Sequence, residues 1–402
     1  MKLSSIVPVP NRVSTPAKLY IFGSVLNGFA NGVWSVVRQL YLISLGFDGD
    51  ALGSIFMVYP IGAVLTTIPA GILADRYGKK RIVVPGYILL ALTMILFLTA
   101  KRIWMFSFIF FLIGLADGMF VVLGPLYSSL FDKEDLDKAF GLIGFFRIIL
   151  TSIGSLLGFI PPILVSNYSF STQASYWTIM AFGTAINFIH IPLIIIAVQA
   201  LKEQKKKGGI KFTLRSKDIV AKFSFIKIIS VIGSGSFFSF FPYYVNKKFG
   251  VESDSLGILF FASNFVAAGA QAIAPKISKR LGTLITIVTV LGLCTPFYLM
   301  IPLSPNFTWL STAYIILQFF GPLSNPLTSS LFYKLLYNDE KATANSIISM
   351  VSRGSNIVAP KLGGCLMQQV SLDAPAFLVT GLRPLIVASY YFLLRNEKEK
   401  GE

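Results

Sequence analysis

The sequence predicts an all-α membrane protein with twelve transmembrane helices, arranged as two pseudo-symmetric six-helix bundles. Three observations predict this fold class: the composition, the spacing of the apolar stretches, and a repeat that relates the two halves. Of the 402 residues, 54% are hydrophobic and 13% are charged. A typical soluble domain carries about twice that charged share. The mean hydropathy of +0.71 agrees, and this composition excludes soluble globular and disordered chains.

Twelve apolar stretches follow one another along the chain, each long enough to span a membrane, which takes about 20 mostly apolar residues. Gly-Pro or Asn-Pro pairs at 124–125, 321–322 and 325–326 are expected to break spans 4 and 10, either as gate hinges or as static kinks. The two cysteines both lie inside spans, so neither a disulfide framework nor a Cys/His metal site is expected. The predicted spans are 19–45, 51–74, 82–100, 103–130, 139–165, 174–200, 223–246, 255–274, 283–302, 309–333, 342–370 and 374–394.

The basic residues are distributed unevenly between the loops. The chain has 35 Lys and Arg against 18 Asp and Glu, for a formal net charge of +17. One set of alternate loops, which includes both terminal segments, holds 25 of these cations, and the other set holds 4. Cytoplasmic loops of membrane proteins carry an excess of Lys and Arg. We therefore predict a multi-pass cell-membrane protein with both termini in the cytoplasm, and we assign the basic loops to topology and lipid contact rather than to nucleic acid.

A direct repeat relates the two halves of the chain. Residues 125–133 and 326–334 match at seven of nine positions, and Arg147 aligns with Arg353. Two parallel six-helix repeats are one of the known plans of membrane transporters. The predicted domains are an N-terminal bundle at 1–200, a cytoplasmic linker at 201–222 and a C-terminal bundle at 223–402.

The loop between spans 2 and 3 has a distinctive composition, GILADRYGKKR over residues 71–81. Gly71 is expected to let two helices approach closely, and Gly78 to form a tight turn with positive φ. Asp75 is the one acid among four cations, so we expect it to be paired or to lie at a helix N-terminus. The candidate gating residues are Gly71, Asp75, Arg76, Gly78, Lys79, Lys80 and Arg81.

This loop resembles the signature of the major facilitator superfamily, Gly-x-x-x-Asp-Arg-x-Gly-Arg/Lys-Arg/Lys, at every defining position. With the spans and the repeat, the resemblance covers essentially the whole chain and implies transport by alternating access. It assigns Asp75 to a cytoplasmic latch between the two halves, with a partner near residues 341–345. The equivalent loop of the second half, residues 275–282, has Lys279 in place of that acid, so the latch is asymmetric. The cations that support it are Arg76, Lys79, Lys80 and Arg81.

Asp117 is the only carboxylate deep inside a predicted span. Because an ionised group at the bilayer centre costs about 2.5–3.5 kcal/mol, it indicates a cavity or a partner. Drug exporters of the superfamily often carry Arg-x-x-Gln-Gly in span 4, whereas this chain has Gly114 and Asp117 at the Arg and Gln positions, which argues against transferring their mechanism directly. Asp117 either binds and releases a proton, or stays ionised beside a substrate or an arginine. The structural alternative is a fixed ion pair with Arg38.

Polar residues also mark spans 1 and 10, which the resemblance places with spans 4 and 7 around the central cavity. Gln318 in span 10 is the repeat mate of Asp117. In span 1, a cation, an indole and two amides share one helical face, at spacings that suit a polar organic solute. Alternatively, the two amides hydrogen-bond neighbouring helices. The residues of this face are Asn27, Asn31, Trp34 and Arg38.

Arg147 and Arg353 occupy the same repeat position, which indicates either two anion-binding groups or a structural role kept by both halves. Asn356 follows Arg353 by three residues and shares its helical face. Arg383 in span 12 is expected to snorkel toward the membrane surface, and His190 is expected to pack. Because the deep cations outnumber the deep acid, the working hypothesis is a substrate with an anionic group.

These features predict a secondary active transporter that moves a small polar organic solute, coupled to protons. The alternatives are a proton-driven multidrug efflux pump and, from another class, a non-transporting membrane sensor or scaffold. We do not expect an enzyme, because the deep residues offer no nucleophile with a paired base. No cofactor, metal or nucleic acid is predicted. The expected partners are the solute, protons and the lipid bilayer, and we expect a monomer.

Overall fold

The computed structural model describes residues 14–127, 136–200, 214–337 and 340–397. Within these ranges the chain forms fifteen α-helices and two 3₁₀ turns, Phe120–Val122 and Leu156–Phe159. The helices are α1 Thr15–Ser44, α2 Gly49–Tyr77, α3 Lys80–Thr99, α4 Ile103–Met119, α5 Leu123–Tyr127, α6 Leu136–Ser155, α7 Ile160–Tyr168, α8 Thr172–Gln199, α9 Lys217–Phe238, α10 Phe241–Phe249, α11 Ser253–Leu281, α12 Thr283–Met300, α13 Phe307–Lys334, α14 Lys341–Gln369 and α15 Ala374–Leu394.

Each predicted span corresponds to one helix or to two consecutive helices. Spans 4 and 5 are interrupted by the two 3₁₀ turns, and span 7 is divided between α9 and α10. Span 10 is the single helix α13, which continues through Pro322 and Pro326, so the predicted break there is wrong. Proline is tolerated inside membrane helices because neighbouring helices and side chains satisfy the backbone groups it frees. Residues 128–133 of the repeat lie outside the described ranges.

Nine helical stretches of the described chain are long and apolar enough to cross a membrane. The three predicted spans outside this set are α1, α13 and α14. These helices carry most of the candidate pathway residues, including Arg38, Gln318 and Arg353, and such polar side chains lower the hydropathy of a span. The least apolar spans are therefore the ones that the sequence marks for solute contact.

The described helices belong to two compact units. Helices α2 and α11 each contribute to both, because their first turns cluster with one unit and the remainder with the other. Unit 1 comprises Met1–Phe47, Val58–Lys207 and Glu252–Phe261, and unit 2 comprises Asp48–Met57, Gly208–Val251 and Ala262–Glu402.

In unit 1, glycines let α1 and α6 pack backbone against backbone. A Cβ added to Gly28 would lie 2.5 Å from the carbonyl oxygen of Arg147, and one added to Gly32 would overlap that of Thr151. The Thr151 hydroxyl donates a 3.0 Å hydrogen bond to the carbonyl oxygen of Gly28. Membrane helices associate through such close packing and interhelical hydrogen bonds, because the surrounding lipid is itself apolar.

Gly32→Ala should therefore destabilise unit 1 by about 1–3 kcal/mol, the usual cost of overpacking. The added methyl group meets backbone atoms of α6, which cannot move aside as a flexible side chain could. A lower unfolding temperature of the purified protein in detergent would report the effect. Gly144→Ala on α6 is the matched control, since a Cβ there meets nothing within 4 Å. Equal unfolding temperatures for the two variants would contradict the packing argument.

In unit 2, the carboxylate of Glu340 holds the start of α9. Glu340 is fully buried. Its Oε2 accepts hydrogen bonds from the backbone N–H groups of Arg215 at 2.5 Å and Ser216 at 3.0 Å, and its Oε1 accepts one from Tyr337 at 3.2 Å. Burial raises the pKa of Glu340, but the hydrogen bonds outweigh burial and hold the pKa below its ordinary value.

Because this pKa is lowered on folding, Glu340 stabilises the protein above its unfolded pKa, and the contribution is lost as the pH falls through the folded pKa. We expect the unfolding temperature to drop on acidification below about pH 4.5, the ordinary range for glutamate. Glu340→Gln should lower the free energy of unfolding at neutral pH by about 1–3 kcal/mol, and with it the unfolding temperature. The stability of this variant should also depend less on acid pH. The control is Asp218→Asn, an exposed carboxylate in the first turn of the same helix. An unchanged acid profile in the Glu340 variant would exclude this role.

Candidate functional site

The polar face of α1 forms a ladder of amides that reaches α8. The Asn31 side chain donates a 2.9 Å hydrogen bond to Oδ1 of Asn27, which in turn donates at 3.5 Å to the buried Asn187. For Asn27 the structure therefore agrees with the alternative predicted from the sequence, a hydrogen bond to a neighbouring helix. Asn31 is exposed, and it remains the amide of this pair that is open to a solute.

One and two turns further along α1, two donor atoms are buried without a hydrogen-bond partner: Nε1 of Trp34 and Nε of Arg38. The guanidinium carbon lies 5.7 Å from the ring centre of Phe110. The Trp34 ring meets Phe97 edge-on at 5.0 Å. Because buried donors normally find acceptors, this part of α1 has the capacity to bind a group that supplies them.

Asp117 lies in the last turn of α4, directly before the 3₁₀ turn at Phe120–Val122. Its neighbours Gly114 and Gly118 bring α4 against α2, where the Thr66 hydroxyl donates a 2.9 Å hydrogen bond to the carbonyl oxygen of Leu115. Asp117 is half-buried and makes other contacts. The fixed ion pair with Arg38, the structural alternative for Asp117, stays a prediction.

The two repeat-related arginines have different surroundings. Arg147 on α6 is exposed and lies within electrostatic range of Tyr20. Arg353 on α14 is half-buried and makes contacts of its own. Asn356, one turn on, donates a 3.1 Å hydrogen bond to the carbonyl oxygen of Ser352. Duplication has therefore kept the residue type without keeping its environment.

Gln318 belongs to an aromatic group in unit 2. Its Nε2 donates a 2.9 Å hydrogen bond to the hydroxyl of Tyr314. The Tyr314 ring stacks on Phe241 at 4.1 Å between centres, with 20° between the planes. Of the nine candidate pathway residues, unit 2 holds Gln318, Arg353 and Asn356, and unit 1 holds the other six.

The candidate gating loop departs from expectation at Gly71, and at Asp75 it departs from one of the two predicted alternatives, while the pairing of Asp75 stays a prediction. A Cβ on Gly71 would meet nothing within 4 Å, so this glycine does not mark a close helix approach. Asp75 lies in the last turn of α2 rather than at a helix N-terminus, and its side chain is outside the described part. Gly78 has the expected positive φ, 101°.

The four cations of the loop differ in their surroundings. Arg76 lies 5.3 Å from the ring centre of Tyr77, and Lys80 donates a 2.7 Å hydrogen bond to the carbonyl oxygen of Gln199. Lys79 immediately precedes α3 as its N-cap, and Arg81 is exposed in the first turn of that helix. Lys80 thus joins the loop to the end of α8 within unit 1.

The sequence did not reveal an ion pair near the start of α2. Lys361 of α14 lies 2.6 Å from Asp50 and 3.0 Å from the Ser54 hydroxyl. The Cys365 thiol also contacts the carboxylate of Asp50, at 3.2 Å. Lys361 lies inside the predicted span 342–370, whereas Asp50 lies in a loop just before the predicted span 51–74, so the sequence did not indicate this pairing.

Arg383 was expected to snorkel, and this expectation is wrong. It is 8% exposed, and its Nη2 donates to the hydroxyl of Tyr298 on α12. His190 is buried as expected and meets the ring of Tyr87 edge-on at 6.0 Å. Its Nδ1 has no hydrogen-bond partner in the described chain.

Nine helical stretches of the described chain that are long and apolar enough to cross a membrane indicate a multi-pass membrane protein. The sequence model of the Major Facilitator Superfamily matches residues 20–360 and 223–402. The chain belongs to the major facilitator superfamily, and it is therefore a membrane transporter. Small-molecule transport and alternating access are general properties of this family.

Related proteins cover nearly the whole chain. Multidrug resistance protein MdtG of Escherichia fergusonii is 25% identical over 398 residues, which cover 94% of each chain. The uncharacterized MFS-type transporter YxaM of Bacillus subtilis is 24% identical over 402 residues, covering 94% of this chain and 95% of the relative.

Solved structures share the fold at low identity. The nucleoside transporter NupG has a TM-score of 0.72 at 13% identity, covering 96% of this chain and all of that one. A bacterial homologue of the iron transporter ferroportin in an inward-facing state has a TM-score of 0.73 at 13% identity, covering 94% and 98%. The predicted fold class is confirmed.

Proposed function

We propose that the protein is a secondary active transporter for a small polar organic solute with an anionic group, coupled to protons. The observation that carries this proposal is the pair of buried donors on α1. Nε of Arg38 has no hydrogen-bond partner in the described chain, and Nε1 of Trp34 is a second donor without a partner one turn away. A carboxylate or similar group would satisfy both donors and the charge.

The other deep cations strengthen the case for an anionic solute. Arg147 is exposed on α6 and Arg353 is half-buried on α14. Asp117 is the only acid at comparable depth in the predicted spans. A path lined mostly by one sign of charge concentrates ligands of the opposite sign.

Asp117 is the proposed proton carrier. It is half-buried beside the 3₁₀ turn at Phe120–Val122, and short 3₁₀ stretches inside helices often mark hinges. A proton gained or lost at this carboxylate changes the charge next to a point where the helix geometry changes. That arrangement suits a group whose protonation is linked to conformation.

The test uses purified protein in liposomes and a panel of carboxylates, amino acids, nucleosides, sugars and cationic drugs. Thermal shifts in detergent select the ligands, and uptake with and without a pH gradient follows. We expect anionic solutes to stabilise the protein and to accumulate when a pH gradient is imposed. Movement of only cationic or neutral solutes would overturn the proposal.

The second candidate is efflux of lipophilic drugs, which two observations favour. Relatives of this chain carry the name multidrug resistance protein. The Arg38 guanidinium adjoins the ring of Phe110 and the Trp34 ring adjoins Phe97. The ring centres of Phe106 and Phe110 lie 5.0 Å and 6.2 Å from that of Phe97. Stabilisation by planar lipophilic cations, together with their export at the expense of a proton gradient, would favour this candidate over the first.

The proposed gate rests on Asp75 and the cations Arg76, Lys79, Lys80 and Arg81. Asp75→Asn should lower the transport rate at least several-fold while leaving the amount of protein in the membrane unchanged, because it removes the charge that the family uses as a latch. Initial rates in liposomes, normalised to inserted protein, measure the effect. Arg102→Gln is the control for the loss of a loop charge, because Arg102 is exposed and lies directly before α4. Wild-type rates in the Asp75 variant would count against the latch.

We further propose a monomer in the cell membrane, with both termini in the cytoplasm and bundles at 1–200 and 223–402 joined by the linker 201–222. The supporting observation is the excess of Lys and Arg, 25 against 4, in one set of alternate loops. Labelling of single cysteines placed at residues 101 and 205 from outside intact cells would test the orientation. Residue 101 should react and residue 205 should be protected.

A further inference from the structure

Arg383 lies on α15 in unit 2 and is 8% exposed. Its Nη2 donates to the hydroxyl of Tyr298 on α12, and its guanidinium carbon lies 4.0 Å from the centre of that ring. The Nε of Arg383 is buried and has no hydrogen-bond partner among the described residues. The guanidinium is thus held in place by one ring while one of its donors remains unused.

The charge of Arg383 has no carboxylate partner in the described part of the chain. Tyr298, Cys294 and Tyr390 are within electrostatic range of it. Other cations of unit 2 are more exposed and are nevertheless paired with acids: Lys222 with Glu397 at 2.5 Å, Lys248 with Asp373 at 2.6 Å and Lys361 with Asp50 at 2.6 Å. Since buried charges are normally paired, the exception calls for an anion from outside the chain.

A second donor points to the same conclusion. Tyr298 is 6% exposed, and its hydroxyl accepts the hydrogen bond from Arg383. Its own proton has no acceptor among the described residues. Two adjacent buried donors, one of them charged, therefore lack acceptors at the same place between α12 and α15.

We propose that Arg383 and Tyr298 form an anion-binding site in unit 2 that takes a small monoanion, accepting from Nε of Arg383 and the hydroxyl of Tyr298. The surrounding groups are donors and aromatic rings, which suit chloride or a single carboxylate. The anion is either a free inorganic ion or the acid group of the transported solute. The second source rests on the proposed function.

The rings around this site connect it to the candidate solute path. Phe238 meets Tyr298 edge-on at 5.9 Å and lies 6.4 Å from Tyr314. Tyr314 accepts the hydrogen bond from Gln318. The rings of Phe238 and Tyr314 therefore connect the Arg383–Tyr298 pair to Gln318, a residue that we assign to the path.

The experiment measures anion-dependent thermal stability of the purified protein in neutral detergent. Sodium chloride and sodium acetate are titrated separately, with sodium methanesulfonate, a bulkier anion, holding the ionic strength constant. We expect the unfolding temperature to rise and saturate with at least one of the two anions. Arg383→Gln should abolish the rise, and Tyr298→Phe should weaken the apparent affinity about tenfold, the usual effect of losing one hydrogen bond to a charged group.

The matched control is Arg395→Gln. Arg395 is an exposed arginine at the end of the same helix, and it also stacks on a tyrosine, 5.6 Å from the ring centre of Tyr391. It should keep the wild-type response. If Arg383→Gln fails to fold, Arg383→Lys replaces it. Lysine keeps the charge but lacks the Nε donor, so this variant should also weaken binding about tenfold.

Saturation by chloride identifies a free ion, and saturation by acetate alone identifies an acid group. Absence of saturation with both anions, or an unchanged response in the Arg383 and Tyr298 variants, overturns the site. Binding in detergent requires no transport. Anion binding with no uptake of anionic solutes would therefore contradict the proposed function alone, and uptake without anion binding would contradict this site alone.

Discussion

Arg38→Gln should lower uptake of the transported solute at low concentration about tenfold to about a hundredfold, while the protein still folds and inserts. The guanidinium has a buried Nε without a hydrogen-bond partner in the described chain. A solute that satisfies it gains a charged hydrogen bond, worth about 1.5–3 kcal/mol. Glutamine retains an amide donor but loses the charge. The ratio kcat/KM in proteoliposomes measures the effect.

Two variants separate charge from geometry in this experiment. Arg38→Lys keeps the charge but not the planar fork of donors, so its kcat/KM should fall between those of wild type and Arg38→Gln. Arg102→Gln removes an exposed arginine before α4 and should transport normally. Wild-type kcat/KM in Arg38→Gln would remove this residue from the solute path and leave the anionic-solute proposal without its main support.

Asp117→Asn should abolish accumulation driven by a pH gradient while leaving exchange of solute across the membrane at equal pH. Asparagine has nearly the same shape but cannot gain or lose the proton. For one coupled proton, a gradient of one pH unit sustains about a tenfold solute gradient, because a factor of ten corresponds to about 1.4 kcal/mol. The accumulation ratio should therefore fall from about ten to about one, as measured by uptake into liposomes of defined internal pH.

Asp218→Asn provides the control for the loss of a carboxylate, since Asp218 is exposed in the first turn of α9. It should retain the wild-type accumulation ratio. If Asp117→Asn also accumulates solute in response to the pH gradient, another group carries the proton. If it loses exchange at equal pH as well, Asp117 acts in solute binding rather than in coupling.

The sequence predicted the helices well where bilayer thickness imposes their length. Span 2 was predicted at 51–74 and α2 runs Gly49–Tyr77. Predictions about breaks were less successful. Pro322 and Pro326 lie inside the unbroken α13, whereas span 7 divides at Ser239 and Phe240, just before Pro242 in the first turn of α10. Whether proline interrupts a membrane helix depends on what its neighbours supply, and this is decided by packing.

Close helix approaches show the same limit. Glycine was expected to mark one at Gly71, but that position faces open space, while Gly32 and Gly114 lie against the backbone of neighbouring helices. All three are glycines in apolar stretches, and local sequence does not distinguish them. The distinction arises only when two helices are placed side by side.

By itself the sequence determined the class of this protein, its twelve spans and, through the loop at 71–81, its family, because hydrophobic length and a contiguous motif are local properties. Only the tertiary structure decided which charges are paired. It joined Lys361 to Asp50, 311 positions away, and it buried Arg383 against the hydroxyl of Tyr298. Burial makes each of these choices energetically large. Such contacts join residues distant along the chain, so no local pattern contains them.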